Sequence, residues 1–249
     1  MNGNMGRKVY LFDGTKEGFL TAVFYAYKDD CAYLAPSDCF QAELLDEVKV
    51  VEIELDKAER VRKKLFSISN RGAFETLCAL RTEEADRAQA AFLYAKLLVK
   101  FGASARNRLT ENCVRRVLEL SGKVFGEVHR LKGFLRFRET EQGVYYAPCE
   151  PDNDIVDLLL PHFQSRFAGQ AFVIHDIRRG VAAVCDGKKA ALSTVGQAEI
   201  ILSEKETAYS ALWKKYYQTV AIESRKNLKQ QKNYMPVRYW RTLVEEPWR

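Results

Sequence analysis

The chain has 249 residues, 47% of them hydrophobic and 29% charged, a composition typical of a globular protein with a sizeable core. Its 39 basic and 33 acidic residues give a net charge of +6, which favours an anionic partner without requiring one. No run approaches the roughly 18 apolar residues of a membrane span, and the first residues lack the apolar core of a signal peptide, so we expect a cytoplasmic protein without a membrane partner.

The six cysteines are scattered singly along the chain. None forms a C-x-x-C pair, which excludes zinc-ribbon and thioredoxin spacings, and no three-cysteine motif could bind an iron–sulfur centre. The sequence also lacks a phosphate-binding loop, a dinucleotide-binding glycine pattern, a nucleophile elbow and an H-E-x-x-H motif. We therefore expect reduced, mostly buried thiols, no metal ion and no cofactor in this chain.

The first predicted elements are a strand, a helix and a second strand. Residues 8–14, KVYLFDG, form an apolar run that stops at Asp-Gly, as in a strand followed by a turn. Thr15 is placed to cap a helix that runs to about Tyr27, and alternation over 48–55 predicts the second strand. Apolar residues then recur at helical spacing over 56–130, with Asp56 as the expected first cap.

The pattern changes to strands and shorter helices after that region. Residues 133–139 and 144–150 are predicted to be paired strands around Gly143. A helix is predicted over 151–167, and Pro161 should kink it or divide it in two. Three residues are available to cap this helix: Asp152, Asn153 and Asp154.

Three further strands and a last helix complete the prediction. The strands are AFVIHD, GVAAVC and AALSTV, and the dipeptide Asp186-Gly187 favours a tight turn between the second and third. The helix runs over about 204–222, with an apolar stripe at helical spacing. The stripe consists of Tyr209, Leu212, Trp213, Tyr216 and Val220.

These elements predict an α+β fold, with a helix-rich N-terminal half packed with a largely antiparallel sheet region in the C-terminal half. A doubly wound parallel sheet would need crossover helices, which are lacking from 171 to 195. We expect a single globular unit over residues 1–249. The alternative is a mostly helical part, 1–130, and a strand-rich part, 131–222, and in either case a basic, aromatic C-terminal tail covers 223–249. The sequence does not determine the oligomeric state.

Cations stand beside aromatic rings in the segment HRLKGFLRFRE. On a strand, Phe134, Arg136 and Arg138 would share one face, and Leu135 and Phe137 the other. A ring beside two guanidinium groups suits a nucleic acid, because the charges attract phosphates and the ring stacks on bases. The alternative is an amphipathic strand with a solvated, salt-bridged outer face.

Two other segments combine histidine with arginine. His162 and Arg166 are four residues apart and share a helix face beside the apolar stripe, where a satisfied His–carboxylate pair is the alternative to a functional site. Acids at the start of this helix could bind a divalent cation, but helix N-termini favour acids in any case. In IHDIRRGV, Arg178 and Arg179 would either grip a phosphate or form an ordinary solvated turn.

The segment NLKQQKNYMPVRYWR is basic and aromatic, with no acid. The preceding Arg225 and Lys226 could contact phosphates, and Tyr239 and Trp240 could stack on an exposed base. Two alternatives remain open for these rings. They could fold back on the body as a hydrophobic latch, a path that the fixed backbone of Pro236 would suit, or they could contact a protein partner.

Several phrases of the sequence resemble a bacterial family assigned to DNA metabolism, over nearly the full length of the chain. They include LFDGTKEGFLTAVFYAY, EVHRLKGFLRFRE, YYAPCEPDNDIVDLLLPHFQSRF, VIHDIRRGVAAVCDG and LWKKYYQTVAIESRKNLKQQKNYMPVRYWR. The resemblance implies DNA repair or modification in association with a radical-SAM iron–sulfur protein similar to spore photoproduct lyase. A related domain occurs fused to uracil-DNA-glycosylase-like domains. The resemblance implies no catalytic residues.

Three functional hypotheses follow. The first is an accessory or repair factor that binds duplex or single-stranded DNA and works with the radical-SAM partner. The second is a glycosylase-like or nuclease-like repair enzyme, and the third is a protein-interaction module without nucleic-acid contact. The candidate DNA-binding residues are Phe134, Arg136, Arg138, Arg166, Arg178, Arg179, Arg225, Lys226, Tyr239 and Trp240. The candidate acids, bases or ligands of an enzyme are His129, Asp152, His162, His175 and Asp176.

Overall fold

The computed structural model describes residues 7–196 and 200–245. The predicted α+β fold is confirmed, with helices dominating the N-terminal half and a five-stranded mixed sheet in the C-terminal half. Internal contacts divide the chain into two compact units, the first ending at Phe125 and the second beginning at Gly126. No helix in the described ranges is both long and apolar enough to cross a membrane.

A three-stranded parallel sheet opens the first unit. Strands β1 (Lys8–Phe12), β2 (Ala32–Pro36) and β3 (Glu47–Val50) lie in the order β2-β1-β3. Helix α1 (Lys16–Ala26) connects β1 to β2, as a parallel pair requires. Its predicted cap is confirmed, because the Thr15 side chain accepts a hydrogen bond from the Gly18 backbone N–H at 3.0 Å. Strand β2 was not predicted.

Helices make up the rest of the first unit. They are α2 (Leu55–Ile68), α3 (Asn70–Ala79) and α4 (Arg87–Phe101), and α5 (Asn112–Phe134) continues from the first unit into the second. A 3₁₀ segment, Gly102–Asn107, joins α4 to α5. The prediction of Asp56 as a cap was wrong, because α2 begins one residue earlier and its cap position makes no side-chain hydrogen bond. The core of this unit contains Phe19, Leu34, Phe92, Tyr94, Leu98, Val117 and Leu120.

Five strands form the sheet of the second unit, in the order β4-β5-β6-β7-β8. The pair β5–β6 is parallel and is connected through helix α6 (Val156–Arg166), whereas the other three pairs are antiparallel. Asp186 closes the predicted tight turn between β7 and β8 by accepting from the backbone N–H groups of Lys188 and Lys189. The strands are β4 (Arg138–Glu139), β5 (Tyr145–Cys149), β6 (Phe172–Asp176), β7 (Val181–Cys185) and β8 (Ala190–Thr194).

Two local predictions in the second unit were wrong. Helix α5 extends to Phe134, so only Arg138 and Glu139 of the predicted strand 133–139 pair in the sheet. The inference that Phe134, Arg136 and Arg138 share one strand face therefore fails. The predicted caps of helix α6 are the second error, because its cap position is Ile155 and makes no side-chain hydrogen bond, and the helix continues through Pro161 without the division that was one of the two outcomes predicted there.

The last helix and the tail contain more regular structure than the sequence indicated. Helix α7 (Glu204–Val220) is capped by Ser203 and is followed by α8 (Leu228–Tyr234) and a 3₁₀ segment, Val237–Thr242. Residues 246–249 of the predicted tail lie outside the described part of the chain. Of the six free cysteines, three are buried, Cys113 is half-buried, and Cys31 and Cys39 are exposed, so the prediction of mostly buried thiols is met only in part.

Candidate functional site

An open groove of about 820 Å³ lies beside helix α7 in the second unit. Helix α7 contributes aromatic side chains, and the end of α5, the segment after it and helix α6 contribute cations and phenylalanines. We call this feature the α7 groove. It is lined by Lys132, Gly133, Leu135, Arg136, Phe137, Phe163, Arg166, Phe167, Glu206, Tyr209, Ser210, Leu212, Trp213, Tyr216 and Val244.

The apolar stripe of α7 is exposed in this structure. None of the residues of α7 is buried, and Tyr209, Trp213 and Tyr216 are 64%, 42% and 56% exposed. The rings of Trp213 and Tyr216 lie 5.6 Å apart between centroids, at an angle of 31°. The sequence identified this stripe but did not assign it a role, because periodicity indicates an apolar face without indicating whether that face is covered.

Phenylalanines from the segment after α5 and from helix α6 form an apolar cluster that also lines the groove. The Phe137 ring lies 4.9 Å from Phe163 and 4.5 Å from Phe167, and 6.0 Å from Phe172 of strand β6. Such a cluster of ring contacts anchors α6 and the α5–β4 segment to the sheet. The groove therefore combines a packed apolar side with an exposed row of rings on α7.

Glu245 connects the two sides of the groove. Its buried carboxylate accepts a hydrogen bond from Arg136 Nε at 3.1 Å and another from Trp213 Nε1 at 3.1 Å. Burial alone would raise the pKa of Glu245, but the hydrogen bonds from Arg136, from the Glu245 backbone N–H and from Trp213, together with the charge of Arg136, outweigh burial and hold this pKa below its usual value. The terminal nitrogen Nη1 of Arg136 donates to the carbonyl oxygen of Gly133 at 2.9 Å. Arg136 is thus committed to protein groups and orients the indole of Trp213 through Glu245.

Two cations line the groove and have no partner in the described part of the chain. Within residues 7–196 and 200–245, Lys132 and Arg166 make neither an ion pair nor a side-chain hydrogen bond. The acid at the groove, Glu206, is engaged, because its carboxylate accepts from the Glu139 backbone N–H at 3.0 Å and from Ser210 Oγ at 2.8 Å. These donors are neutral and leave the charge of Glu206 in place, so Lys132 and Arg166 outnumber it and the groove has a small excess of positive charge once Arg136 is paired with Glu245.

The other predicted DNA-binding cations lie elsewhere. Arg225 and Lys226 line a separate groove of about 520 Å³ beside Tyr234, and Lys226 is paired with Glu223 at 2.6 Å. Arg138 lines a third groove of about 370 Å³. Arg178 is exposed at the β6–β7 turn. Of the ten candidates, Arg136 and Arg166 are the two that line the α7 groove.

The guanidinium group of Arg179 is bound by other groups of the protein. Its Nη1 atom lies 3.0 Å from the fully buried carboxylate of Asp176 and also donates to the Pro151 carbonyl at 2.9 Å. Its Nη2 atom donates to the Asp152 carbonyl at 2.7 Å. The side chain thus fixes the β6–β7 turn against the segment before α6.

Tyr239 connects the C-terminal tail to a buried carboxylate that was not among the predicted site residues. Tyr239 is 2% exposed, and its hydroxyl donates at 2.7 Å to Glu127, which is fully buried on α5. The same carboxylate accepts from the backbone N–H groups of Asp152 and Asn153, both at 2.9 Å. These bonds outweigh burial and keep the pKa of Glu127 below its usual value. The latch alternative therefore describes the position of Tyr239 in this structure.

A signal for this carboxylate was present in the sequence. Glu127 stands between Val124 and Val128 on the apolar stripe of α5, where an acid without a partner would be costly. The other two candidate stacking rings also contact groups of the protein. Phe134 is 6.1 Å from Tyr239 between centroids, and Trp240 donates from Nε1 to the Met235 carbonyl at 2.9 Å.

Three of the five candidate catalytic residues lie near one another, since His175 and Asp176 are consecutive on β6 and Arg179 joins the Asp176 carboxylate to the Asp152 carbonyl. His175 Nδ1 is hydrogen-bonded to the Tyr146 hydroxyl at 2.8 Å, and burial lowers the pKa of this histidine. The carboxylate of Asp152 pairs with Arg238 at 2.7 Å, His162 packs edge-on against Phe163, and His129 is exposed. None of the five lines the three grooves described above. Among the described residues, no three His, Cys, Asp or Glu side chains form a group that could bind a metal ion.

Comparison with known proteins gives one match. A family model described as a domain of unknown function, DUF4130, matches residues 85–245, which is more than half of the chain. The match includes the end of the first unit and every described element of the second unit, so it contains the whole α7 groove and the Glu127 contact. No curated protein and no solved structure matches the sequence significantly. The chain therefore belongs to the DUF4130 family.

Proposed function

We propose that this chain is a DNA-binding accessory or repair factor that acts with a radical-SAM partner. The α7 groove is the observation that supports DNA binding most directly. It joins exposed rings on α7 to Lys132 and Arg166, two cations without a partner in the described part of the chain. Cations and rings in one open groove are the two components that proteins use to bind a nucleic-acid strand.

The proposed role of the two cations is to neutralise phosphates. Each contact releases condensed counterions, so the logarithm of the binding constant falls with the logarithm of the salt concentration by about 0.7 per phosphate for single strands and about 0.9 for duplex DNA. Arg136 has a different role in this proposal, because its nitrogens are bound by Glu245 and Gly133. It holds the groove in shape and leaves phosphate contact to the other two residues.

The partner in the proposal rests on the resemblance of the sequence to the DNA-metabolism family. The six single cysteines lack the spacing that binds an iron–sulfur cluster, so the cluster would belong to the partner. This chain would contribute DNA affinity and position the substrate for the partner.

Salt-dependent titration tests the proposal. Binding of labelled duplex and single-stranded oligonucleotides is measured by fluorescence anisotropy at several salt concentrations, for the wild type and for Lys132→Ala/Arg166→Ala. We expect the double variant to bind more weakly and its salt slope to be smaller by about 1.4 for single strands. Lys28→Ala/Lys64→Ala, which removes two exposed lysines of the first unit, is the matched control. A flat salt dependence of the wild type, or an equal effect of the control, would refute DNA binding through this groove.

A protein-interaction module is the second candidate function. The exposed aliphatic residues on α7, Leu212 at 63% and Val220 at 52%, favour it, because contiguous apolar surface commonly marks a protein contact. Capture of the radical-SAM partner on the immobilised chain, repeated after nuclease treatment, separates the two functions. Recovery that survives nuclease, together with no oligonucleotide binding, would favour this candidate.

A further inference from the structure

We infer that the α7 groove takes an unpaired stretch of DNA, with successive bases stacked on Tyr209, Trp213 and Tyr216. This inference rests on the proposed DNA-binding function and names the substrate class of the same site. It assigns the ligand-contacting surface to three rings that the sequence analysis placed only in an apolar stripe. It also gives Glu245 a positioning role, because this residue bonds to Trp213.

The spacing of the rings fits an extended single strand, because the row is longer than the roughly 7 Å that three fully stacked bases span. Residues 209, 213 and 216 are separated by four and three positions, so they lie on one face of α7. With a rise of about 1.5 Å per residue, the row spans about 10 Å along the helix. Successive nucleotides of a fully stacked strand are about 3.4 Å apart, so three bases reach all three rings only when the strand is extended.

The chemistry of the groove favours unpaired bases over duplex DNA. In a duplex the base faces are covered by stacking, and a protein reads hydrogen-bonding groups on the base edges. Apart from the polar groups of the three rings themselves, the polar side chains that α7 contributes to the groove are Glu206 and Ser210, which are bonded to each other at 2.8 Å. Exposed aromatic faces contribute binding energy only where a base has left its stack.

One ring is held in place before any ligand arrives. Trp213 Nε1 is bonded to Glu245, whose carboxylate is fixed in turn by Arg136. A side chain that is already ordered loses less conformational entropy on binding, which increases affinity. Arg136 and the indole are thereby fixed relative to each other in the same groove that Arg166 lines.

The charges distinguish this occupant from a partner helix. Lys132 and Arg166 have no acidic partner in the described ranges, whereas Glu206 is engaged by the protein itself. A strand with one negative charge per nucleotide can place phosphates against these two cations while its bases face the rings. An amphipathic helix would cover the apolar side chains and leave both cations to solvent, so the groove is assigned to nucleic acid.

The test combines ring removal with base removal. A 12-nucleotide single strand, the same strand with three central abasic residues, and the corresponding duplex are titrated at constant salt against the full-length protein. The variants are Tyr209→Ala, Tyr216→Ala and the double variant. Tyr234→Ala, which removes a ring that is 72% exposed outside the α7 groove, is the matched control. Circular dichroism verifies folding, which the substitution of exposed side chains should not disturb.

Stacking predicts a defined pattern. Each single variant should bind the normal strand about 5- to 150-fold more weakly, the range found when one stacked aromatic is removed. The wild type should bind the abasic strand more weakly than the normal strand, and the double variant should lose most of this difference. The wild type should also prefer the single strand to the duplex, and the control should behave as wild type.

The outcomes separate the two proposals. The stacking inference is overturned if binding depends on salt but the affinities for the duplex, the normal strand and the abasic strand are equal, and the ring substitutions do not change them. That result leaves the proposed DNA-binding function in place. Absence of binding to every oligonucleotide overturns both. Ring variants that weaken the normal and abasic strands equally also overturn the inference, because the rings would then act on the shape of the groove and not on the bases.

Discussion

The bond between Tyr239 and Glu127 can be tested with a single atom change. Tyr239→Phe removes only the hydroxyl group, which donates to the buried carboxylate of Glu127 at 2.7 Å. The ring keeps its contact with Phe134, so its packing is retained. The same hydroxyl accepts a hydrogen bond from Arg238 Nη2 at 3.2 Å, but Arg238 belongs to the tail, so of the two lost bonds only that to Glu127 connects the tail to helix α5.

The size of the effect follows from the remaining partners of Glu127. After the substitution the carboxylate still accepts from Asp152 and twice from Asn153, so it is not left without donors. The loss is then that of one hydrogen bond to a charged group, about 1.5–3 kcal/mol. Since about 1.4 kcal/mol corresponds to a factor of ten, release of the tail should become about 10- to 150-fold more frequent.

Hydrogen exchange measures this release directly. The backbone N–H groups of Tyr239 and Leu243 are bonded within the tail, to Pro236 and Trp240, and serve as reporters. We expect them to exchange about 10- to 150-fold faster in Tyr239→Phe, by the same conversion. Amides of strand β7 should change less, because the sheet does not depend on this bond. Tyr234→Phe, on a ring that is 72% exposed, is the control.

Unchanged hydrogen-exchange rates of the tail amides would refute this reasoning. Exchange rates in Tyr239→Phe equal to those of the wild type would mean that the tail is held by its other contacts, among them the Arg238–Asp152 ion pair and the bonds of Glu245, and not by this bond. An equal acceleration in strand β7 would also contradict it, because the bond would then contribute to the whole unit and not to the tail.

Three further predictions concern buried carboxylates of the second unit. Glu127 has a pKa below its ordinary value of 4.5, so its contribution to stability is present above pH 4.5 and is lost as the pH falls through the folded-state pKa. In Glu127→Gln, the midpoint of unfolding should therefore decline less steeply below pH 4.5 than in the wild type. Arg179→Ala should cost about 3–5 kcal/mol in urea unfolding, because it leaves the buried Asp176 charge without its partner, whereas Lys188→Ala at an exposed turn should change stability by less than about 0.5 kcal/mol. Glu245→Gln should shift the tryptophan emission spectrum by weakening the Trp213 contact, and an unshifted spectrum would contradict the positioning role.

Local sequence signals predicted much of the fold. Strands β6, β7 and β8 and the turn at Asp186 were predicted because alternation and turn chemistry act between near neighbours in the chain. Helix α7 was predicted from periodicity to within two residues of its end. Strand β2 was missed because its pairing partner, β1, supplies a context that the short segment Ala32–Pro36 does not contain.

The candidate site depended more strongly on long-range contacts. The sequence predicted cations near rings, but it could not predict that Arg136 is bound by Glu245, which lies 109 residues away. It predicted that Tyr239 would serve either as a latch or as a stacking surface, and burial against Glu127 decided for the latch in this structure. It named the stripe of α7, and only the fold determined that the stripe remains exposed.

The sequence by itself thus determined the α+β class, most strands and helices, and the set of side chains available for binding. The tertiary structure alone decided which charges are neutralised, which rings are buried and which residues share a groove. The physical reason is that backbone conformation responds to neighbours a few residues away, whereas burial and ion pairing depend on residues that meet only after folding.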